Sequence, residues 1–291
     1  MNREKLLEGK AIAGRINRMV KDEVLKLKKT YSFEPVLCAV QIGDDKESSL
    51  YLDFQQKMAQ KLAIGYQVRK LSADTGIAGI IAVIEELNRD SSINGIILQL
   101  PLPRHLNAND IRCRIDPIKD VEGVHPENLG KIILNEKGLA PCTACAVMEL
   151  LNTLNIDLYG KEAVIVGYSE IVGKPLAAMM LNAFCTTTIC HIATSGRGLL
   201  AAHVKRAEIL VVAVGKPGVI KGEWIKKDAI VVDVGINYVD EKIIGDVEFE
   251  KAYERAAYIT PVPGGVGPIT VALLMRNLLY AAKQQKQEDK L

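Results

Sequence analysis

The sequence is poor in the features that mark several large classes of protein. Its 37 Lys and Arg nearly balance 35 Asp and Glu, leaving a formal charge of +2 over 291 residues, so there is no electrostatic footprint for nucleic acid. No apolar run approaches membrane length, and Met1-Asn2-Arg3-Glu4-Lys5 leads into a mixed-charge helical pattern without the apolar core of a signal peptide. Aromatic residues make up only 5% of the chain. Six cysteines are too few and too scattered for a disulfide framework. Cys142-Thr143-Ala144-Cys145 has the spacing of a redox pair or half a zinc site. No second such pair exists, however, and His105, His125, His191 and His203 form no ligand-spaced cluster. These thiols read as residues at a helix start in a reducing compartment, with no metal expected. What remains, at 48% hydrophobic and 25% charged residues, is the composition of a cytoplasmic enzyme with one large core or two medium ones.

The rest of the chain is organised around Ala163-Val164-Ile165-Val166 and the turn Gly167-Tyr168-Ser169-Glu170-Ile171-Val172-Gly173-Lys174-Pro175. The apolar run reads as a buried parallel strand. Gly167 permits a tight turn into a helix whose free N–H groups suit the phosphates of a nucleotide, and Pro175 is tolerated in the first helical turn. The spacing is not GxGxxG and no acidic partner is evident on the second strand, so an ordinary strand-to-helix turn stays open at this point.

The first half reads as a repeated helix–strand–helix unit: a helix over about 4–29, a strand over 35–43, a helix over about 49–63, a strand over 65–71, a helix over 75–88 and a strand over 93–100. Tyr51, Gln55, Met58 and Leu62 fall along one side of the third of these elements. Gln99 lies just past a strand end, where α/β sheets build sites, although a plain turn glutamine is the competing reading. Lys119-Asp120-Val121-Glu122-Gly123 reads as a binding loop or as solvated loop charge. In the second half a helix is expected over 144–153, with strands over 187–191, 209–215 and 229–236 completing a parallel sheet with right-handed crossovers. Tyr258 to Thr270, with three glycines between prolines, is too rigid for a linker and lets backbone approach a flat ligand. A last helix over 271–283 is placed to return to the first lobe, leaving a cleft between two lobes.

Taken together, Tyr51, Leu98-Gln99-Leu100-Pro101-Leu102-Pro103, Lys119-Asp120-Val121-Glu122-Gly123, Pro141-Cys142-Thr143, the Gly167–Pro175 turn and Thr260-Pro261-Val262-Pro263-Gly264-Gly265-Val266-Gly267-Pro268 resemble the bifunctional methylenetetrahydrofolate dehydrogenase/methenyltetrahydrofolate cyclohydrolase family, called FolD in bacteria. The resemblance spans nearly the whole chain. It implies a two-lobed α/β fold: an N-terminal folate-binding lobe over 1–139 plus 270–291 and a Rossmann-like lobe over 140–269. It further implies a folate substrate, NADP or NAD as cofactor, and a homodimer. Carried over by position, Tyr51 stacks on the folate, Gln99 lies beside the reacting carbon, Glu122 meets the pterin, and Pro263, Gly264, Gly265 and Val266 line the folate pocket. Gly167, Tyr168, Ser169, Ile171, Gly173, His191, Ile192, Gly215 and Ile236 fall at the cofactor.

Three positions depart from the family pattern. The catalytic lysine of Tyr-x-x-x-Lys is replaced by Gln55; an amide cannot take up a proton near neutral pH, so the expectation is hydride transfer with weak or absent cyclohydrolase activity. Glu122 stands for the usual aspartate, adding a methylene to the pterin contact. Tyr168 and Ile192 occupy places where a 2′-phosphate partner is common, a lean toward NAD over NADP. Two alternatives stand beside this reading: a fully bifunctional enzyme with a relocated water-activating group, and a non-catalytic folate-binding or regulatory homologue.

Overall fold

A computed structural model describes residues 3–288, except for the side chains of residues 3, 46–51, 287 and 288. The chain forms two compact units. One contains Gly14–Lys131, Lys137–Ala140 and the chain from Val271 onward; the other contains the chain up to Ala13, Ile132–Glu136 and Pro141–Thr270.

The first unit is built on three parallel strands. In chain order its elements are α1 (Gly9–Tyr31), β1 (Val36–Ile42), α2 (Lys46–Lys61), β2 (Gly65–Leu71), α3 (Ile77–Arg89), β3 (Gly95–Leu98), α4 (Ala108–Arg112) and α5 (Pro126–Ile133). The strand order is β2-β1-β3. Six of the seven residues of central β1 are buried, as expected of an unbroken apolar run covered on both faces. From α3, Ile80, Ile84 and Leu87 recur at helical spacing and pack with Cys38, Val40, Ile96 and Leu98 of the sheet. Beyond β3, Ile96 pairs in parallel with Asp120, so the Lys119–Glu122 loop runs along the outer side of β3. Lys119 anchors it: its ammonium donates to the carbonyls of Leu87, Asn88 and Asp90 at 3.0, 2.7 and 2.8 Å, satisfying the open end of α3.

The second unit holds α6 (Cys142–Asn152), β4 (Glu162–Val166), α7 (Gly173–Asn182), β5 (Thr186–Cys190), α8 (Ile192–Gly196), α9 (Leu200–Arg206), β6 (Ile209–Val212), β7 (Ile230–Asp233), the hairpin β8 (Asn237–Val239) and β9 (Lys242–Ile244), α10 (Phe249–Arg255) and β10 (Tyr258–Ile259). Five of its strands form a parallel sheet in the order β10-β7-β6-β4-β5. The order reverses beside β4, the geometry at which doubly wound sheets open a crevice at their carboxyl ends.

α11 (Val266–Glu288) closes the chain and starts five residues earlier than the sequence pattern predicts, because Pro268 is accommodated in its first turn. Its later part belongs to the first unit, as expected of a returning helix. Asn277 donates there to the carbonyls of Val121 and Ala140 at 2.9 and 3.0 Å, and Lys283 meets Glu23 at 2.6 Å. The observed division differs from the expected one at the N-terminus, where the stretch up to Ala13 groups with the β4–β10 sheet. Leu7 N–H donates to Ile259 O at 2.9 Å and Gly9 N–H to Gly264 O at 2.8 Å. A side chain at position 9 would collide with the Gly265 carbonyl, which is why glycine sits in this clip.

Candidate functional site

A cavity of about 580 Å³ opens where β4, β5 and β6 end. Its floor is the Gly167 turn. Gly167 has φ +127°, and a Cβ there would collide with the Ala213 carbonyl at the end of β6. At Gly173, the first residue of α7, a Cβ would collide with the Gly167 carbonyl. Only glycine fits both places, so strand, turn and helix close to backbone contact. Ser169 tightens the turn from inside. Its Oγ accepts from Val172 N–H at 3.2 Å and its carbonyl from Lys174 N–H at 3.0 Å. The result is a tight strand–turn–helix junction at the start of α7, suited to the phosphates of a dinucleotide.

Of the residues expected at the cofactor, Gly167, Tyr168, Ser169, His191 and Ile192 line this cavity. Gly173 shapes the turn from behind, and Gly215 lies between the lining residues Val214 and Lys216. Ile171 and Ile236 are exposed and off the lining. Tyr168 stands edge-on to His191 with ring centroids 5.6 Å apart, and His191 Nδ1 accepts from Ala193 N–H at 3.2 Å. The cation nearest the turn, Lys174, is matched by Glu170 at 3.3 Å.

The far wall depends on two acids that no motif marks. Asp246 has no exposed surface, and its carboxylate accepts from the N–H groups of Val214, Gly215 and Lys216 at 2.7, 3.0 and 2.8 Å and from Asn237 Nδ2 at 2.9 Å. It thereby fixes the loop after β6 from below. Asp233 accepts in turn from Gly235, Asp246 and Val247 N–H groups. Burial pushes its carboxyl up to about 6, against the pull of those donors and with Asp246 adding to the rise. Ser195, Ala213 and Lys216 also line the cavity without having been anticipated. For Ala213 and Lys216 the signal was available, since each lies within four residues of the end of β6; for Ser195 there was none.

The positions expected to meet folate fall in both units. In the first unit, α2 turns Leu52, Gln55 and Ala59 inward and Leu62 is buried just past its end, whereas Lys57 and Lys61 face solvent. The buried stripe follows a 3-4-3 spacing from Leu52, so Gln55 and Leu62 of the Tyr51, Gln55, Met58, Leu62 side are buried and Met58 is half-buried. The backbone of Tyr51 is in α2, but its side chain lies outside the described residues. Gln55 is 1% exposed, and its Oε1 accepts from the Tyr66 hydroxyl of β2 at 2.9 Å. Gln99, also buried, donates from Nε2 to Leu100 O at 3.0 Å, while its N–H holds Val40 O at 2.9 Å.

Glu122 lies beside the end of β3. Burial pushes its carboxyl up to about 7; the Arg112 guanidinium opposes that shift, Asp120 adds to it, and the Leu98 N–H opposes it. Arg112 is itself buried, and among the described residues its Nε has no hydrogen-bond partner. The companion acid, Asp120, is occupied in building the loop, accepting from Gly123 and His125 N–H groups and from Asn128 Nδ2 at 3.2, 2.7 and 3.0 Å. In the second unit, Pro263 to Val266 lead into α11, with Gly264 at φ +112° and Gly265 N–H donating to Pro261 O at 2.9 Å. Among the described residues, no group of three His, Cys, Asp or Glu side chains is arranged to hold a metal ion, and no helix is long and apolar enough to cross a membrane.

Residues 7–122 match the catalytic domain of the tetrahydrofolate dehydrogenase/cyclohydrolase family, and residues 141–286 match the NAD(P)-binding domain of the same family. The bifunctional protein FolD of a Nitratiruptor species is 44% identical over 282 residues, covering 97% of this chain and 99% of that protein. Among solved structures, the bifunctional enzyme FolD of Campylobacter jejuni is 40% identical with a TM-score of 0.92, covering 96% of this chain and 98% of the other. The Trypanosoma brucei methylenetetrahydrofolate dehydrogenase-cyclohydrolase, solved with NADP cofactor and an inhibitor, is 35% identical with the same TM-score, covering 97% and 98%.

Proposed function

Because the chain belongs to the tetrahydrofolate dehydrogenase/cyclohydrolase family, we propose that it acts as an NAD(P)-dependent 5,10-methylenetetrahydrofolate dehydrogenase with little or no methenyl cyclohydrolase activity. The dehydrogenase reading is that of the family. The weak second activity rests on one observation, a buried Gln55 bonded to Tyr66 where the family pattern has lysine.

The two activities ask different things of the chain. A bound nicotinamide would supply the acceptor for a hydride from the one-carbon bridge of the folate. The chain has to align the two rings, since no proton must be abstracted in that step. The Gly167–Gly173 turn and the loop carried by Asp246 would supply backbone to hold the pyrophosphate end, and the family resemblance assigns Gln99 to the reacting carbon and Pro263–Val266 to the folate. Glu122, when ionised, accepts from the amino-pyrimidine edge of the pterin. Hydrolysis of the methenyl product needs more, because water must lose a proton as it adds. Gln55 cannot accept that proton near neutral pH, and Lys57 and Lys61 point away to solvent.

Two finer readings accompany this one. NAD is the favoured cofactor, since Tyr168 and Ile192 offer a 2′-phosphate no charge and Lys174 is matched by Glu170. The working form is a cytoplasmic homodimer joined through the second unit. There β5 is an edge strand, and the exposed Leu181, Phe184, Tyr159, Ile133 and Leu134 form an apolar face linked by the Tyr159–Phe184 ring contact and the bond from Asn182 to Ile132 O. Sedimentation as a monomer at micromolar concentration would remove the dimer. The deciding assay mixes the protein with methylenetetrahydrofolate and NAD⁺ or NADP⁺. Reduced nicotinamide is expected with both and at the lower KM with NAD⁺; none with either cofactor would leave a non-catalytic folate binder.

A further inference from the structure

The loop after β6 and the segment that begins at Thr260 are joined by a chain of buried hydrogen bonds running through two acids. The N–H groups of Val214, Gly215 and Lys216 converge on the Asp246 carboxylate, the arrangement in which successive backbone donors form an anion-binding nest. Here the anion belongs to the chain itself. Asp246 is held in turn by its own N–H, which donates to Asp233 Oδ1 at 3.1 Å, while Val247 N–H donates to Oδ2 at 2.9 Å. The backbone of Asp233 then meets Thr260 through both of its polar groups. Its N–H donates to Thr260 Oγ1 at 2.7 Å, and that hydroxyl donates to Asp233 O at 3.2 Å. Asp233, Asp246 and Thr260 are all buried.

Little in this chain can give way. A Cβ at Gly235 would collide with the Asp246 carboxylate, one at Gly245 with the Asp233 carboxylate, and one at Gly265 with the Thr260 side chain. Burying an acid is costly unless its acceptor sites are filled, and Asp246 fills its own with the loop that borders the cavity. Val214 and Lys216 line that cavity, whereas Asp233, Asp246 and Thr260 are off its lining. At the other end, Thr260 leads into Pro263–Val266, which the family resemblance assigns to folate.

We infer that Asp246, Asp233 and Thr260 act as one positioning unit, fixing the Val214–Lys216 loop relative to the segment from Thr260 and so aligning the two reactants for hydride transfer. The inference rests on the proposed function. It deepens that reading by naming three residues that touch neither ring but set where the two binding segments stand.

The test follows NAD⁺ binding by calorimetry, amide hydrogen exchange and the kcat of hydride transfer in Asp246→Asn, Thr260→Val and Thr260→Ser. In Asp246→Asn, exchange at Val214, Gly215 and Lys216 should quicken by about tenfold or more, the scale of lost bonds to a charged acceptor, and NAD⁺ affinity should fall by a similar factor. Thr260→Val removes only the hydroxyl at the far end of the chain, yet NAD⁺ affinity should still fall by about threefold. Thr260→Ser, which keeps the hydroxyl, should behave as the unsubstituted protein. In both impaired variants kcat should fall too, because misalignment costs rate even at saturation. The double variant Asp246→Asn/Thr260→Val should lose less than the product of the two single losses, since both break one chain. A folded Asp246→Asn protein with unchanged NAD⁺ affinity and unchanged exchange overturns the inference. So does a Thr260→Val protein that melts earlier but binds and turns over as before, or single losses that simply multiply. Should Asp246→Asn fail to fold, the comparison of Thr260→Val with Thr260→Ser decides alone. If the unsubstituted protein yields no reduced nicotinamide, the proposed function falls and takes this inference with it; unchanged binding and turnover in the variants of an active protein remove the inference alone.

Discussion

The cavity at the Gly167 turn and the positions Gln55, Gln99 and Glu122 of the first unit are built from different materials. The cavity is bounded by backbone: two glycines that admit no Cβ, and a loop held through three of its own N–H groups by Asp246. The other positions act through side-chain termini, and on the proposed reading they carry glutamine and glutamate where a lysine and an aspartate are expected. Backbone geometry of the first kind tolerates no substitution, so it persists as a recognisable string of residues. Side-chain chemistry of the second kind depends on the groups beside it: Tyr66 bonds Gln55, and the Arg112 charge acts on Glu122.

The widest expected effect tests whether the second region has lost only its proton acceptor. Gln55→Lys restores a group able to take up a proton, and methenyl hydrolysis should rise by about 10²–10⁴-fold, the usual contribution of a positioned acid–base group. Hydride transfer should change far less. A protein that hydrolyses no faster with lysine than with glutamine would mean that the surroundings, and not residue 55, set the limit.

A smaller effect is expected from the region where nothing can give way. In Gly173→Ala the new methyl meets the carbonyl of Gly167, so the turn has to open at a cost of about 1–3 kcal/mol, the range for overpacking. Cofactor KM should rise about tenfold or more and the melting temperature should fall, with folate binding to the first unit little altered. An unchanged cofactor KM would break the contrast between the two regions.

The parts of the molecule readable from sequence follow the same division. Strands buried on both faces and ended by glycine, such as Val36–Ile42 and Glu162–Val166, appear as continuous apolar runs, so the two sheets and the Gly167 turn could be placed in advance. Which side of α2 packs inward was not legible from the Tyr51–Gln55 spacing; packing selects Leu52, Gln55, Ala59 and Leu62. Tyr66, Arg112 and Asp246 had no local signal. Each acts on a group 10 to 32 residues away, and which side chain meets which is decided by sheet register and loop path. The N-terminal clip on Ile259 and Gly264 was invisible for the same reason.

The finest test concerns Glu122, where the exchange is incomplete. Burial and Asp120 raise its carboxyl to about 7 while Arg112 and the Leu98 N–H hold it down. If the carboxylate binds the pterin edge, folate binding strengthens as pH rises through about 7, and the folate KM should fall by up to about tenfold between pH 6 and pH 8 as the ionised fraction grows. Stability runs the other way. A carboxyl raised above its ordinary value near 4.5 favours the folded state fully below that value and loses this contribution as pH climbs through about 7. Glu122→Gln should flatten both dependences, leaving a high folate KM at every pH and a smaller loss of stability between pH 4.5 and 7. Arg112→Leu should move the KM transition to higher pH by removing the nearby positive charge. A folate KM profile that keeps its shape in Glu122→Gln would place the titrating group elsewhere and leave Glu122 a loop residue, in which case only the lysine exchange separates the two regions chemically.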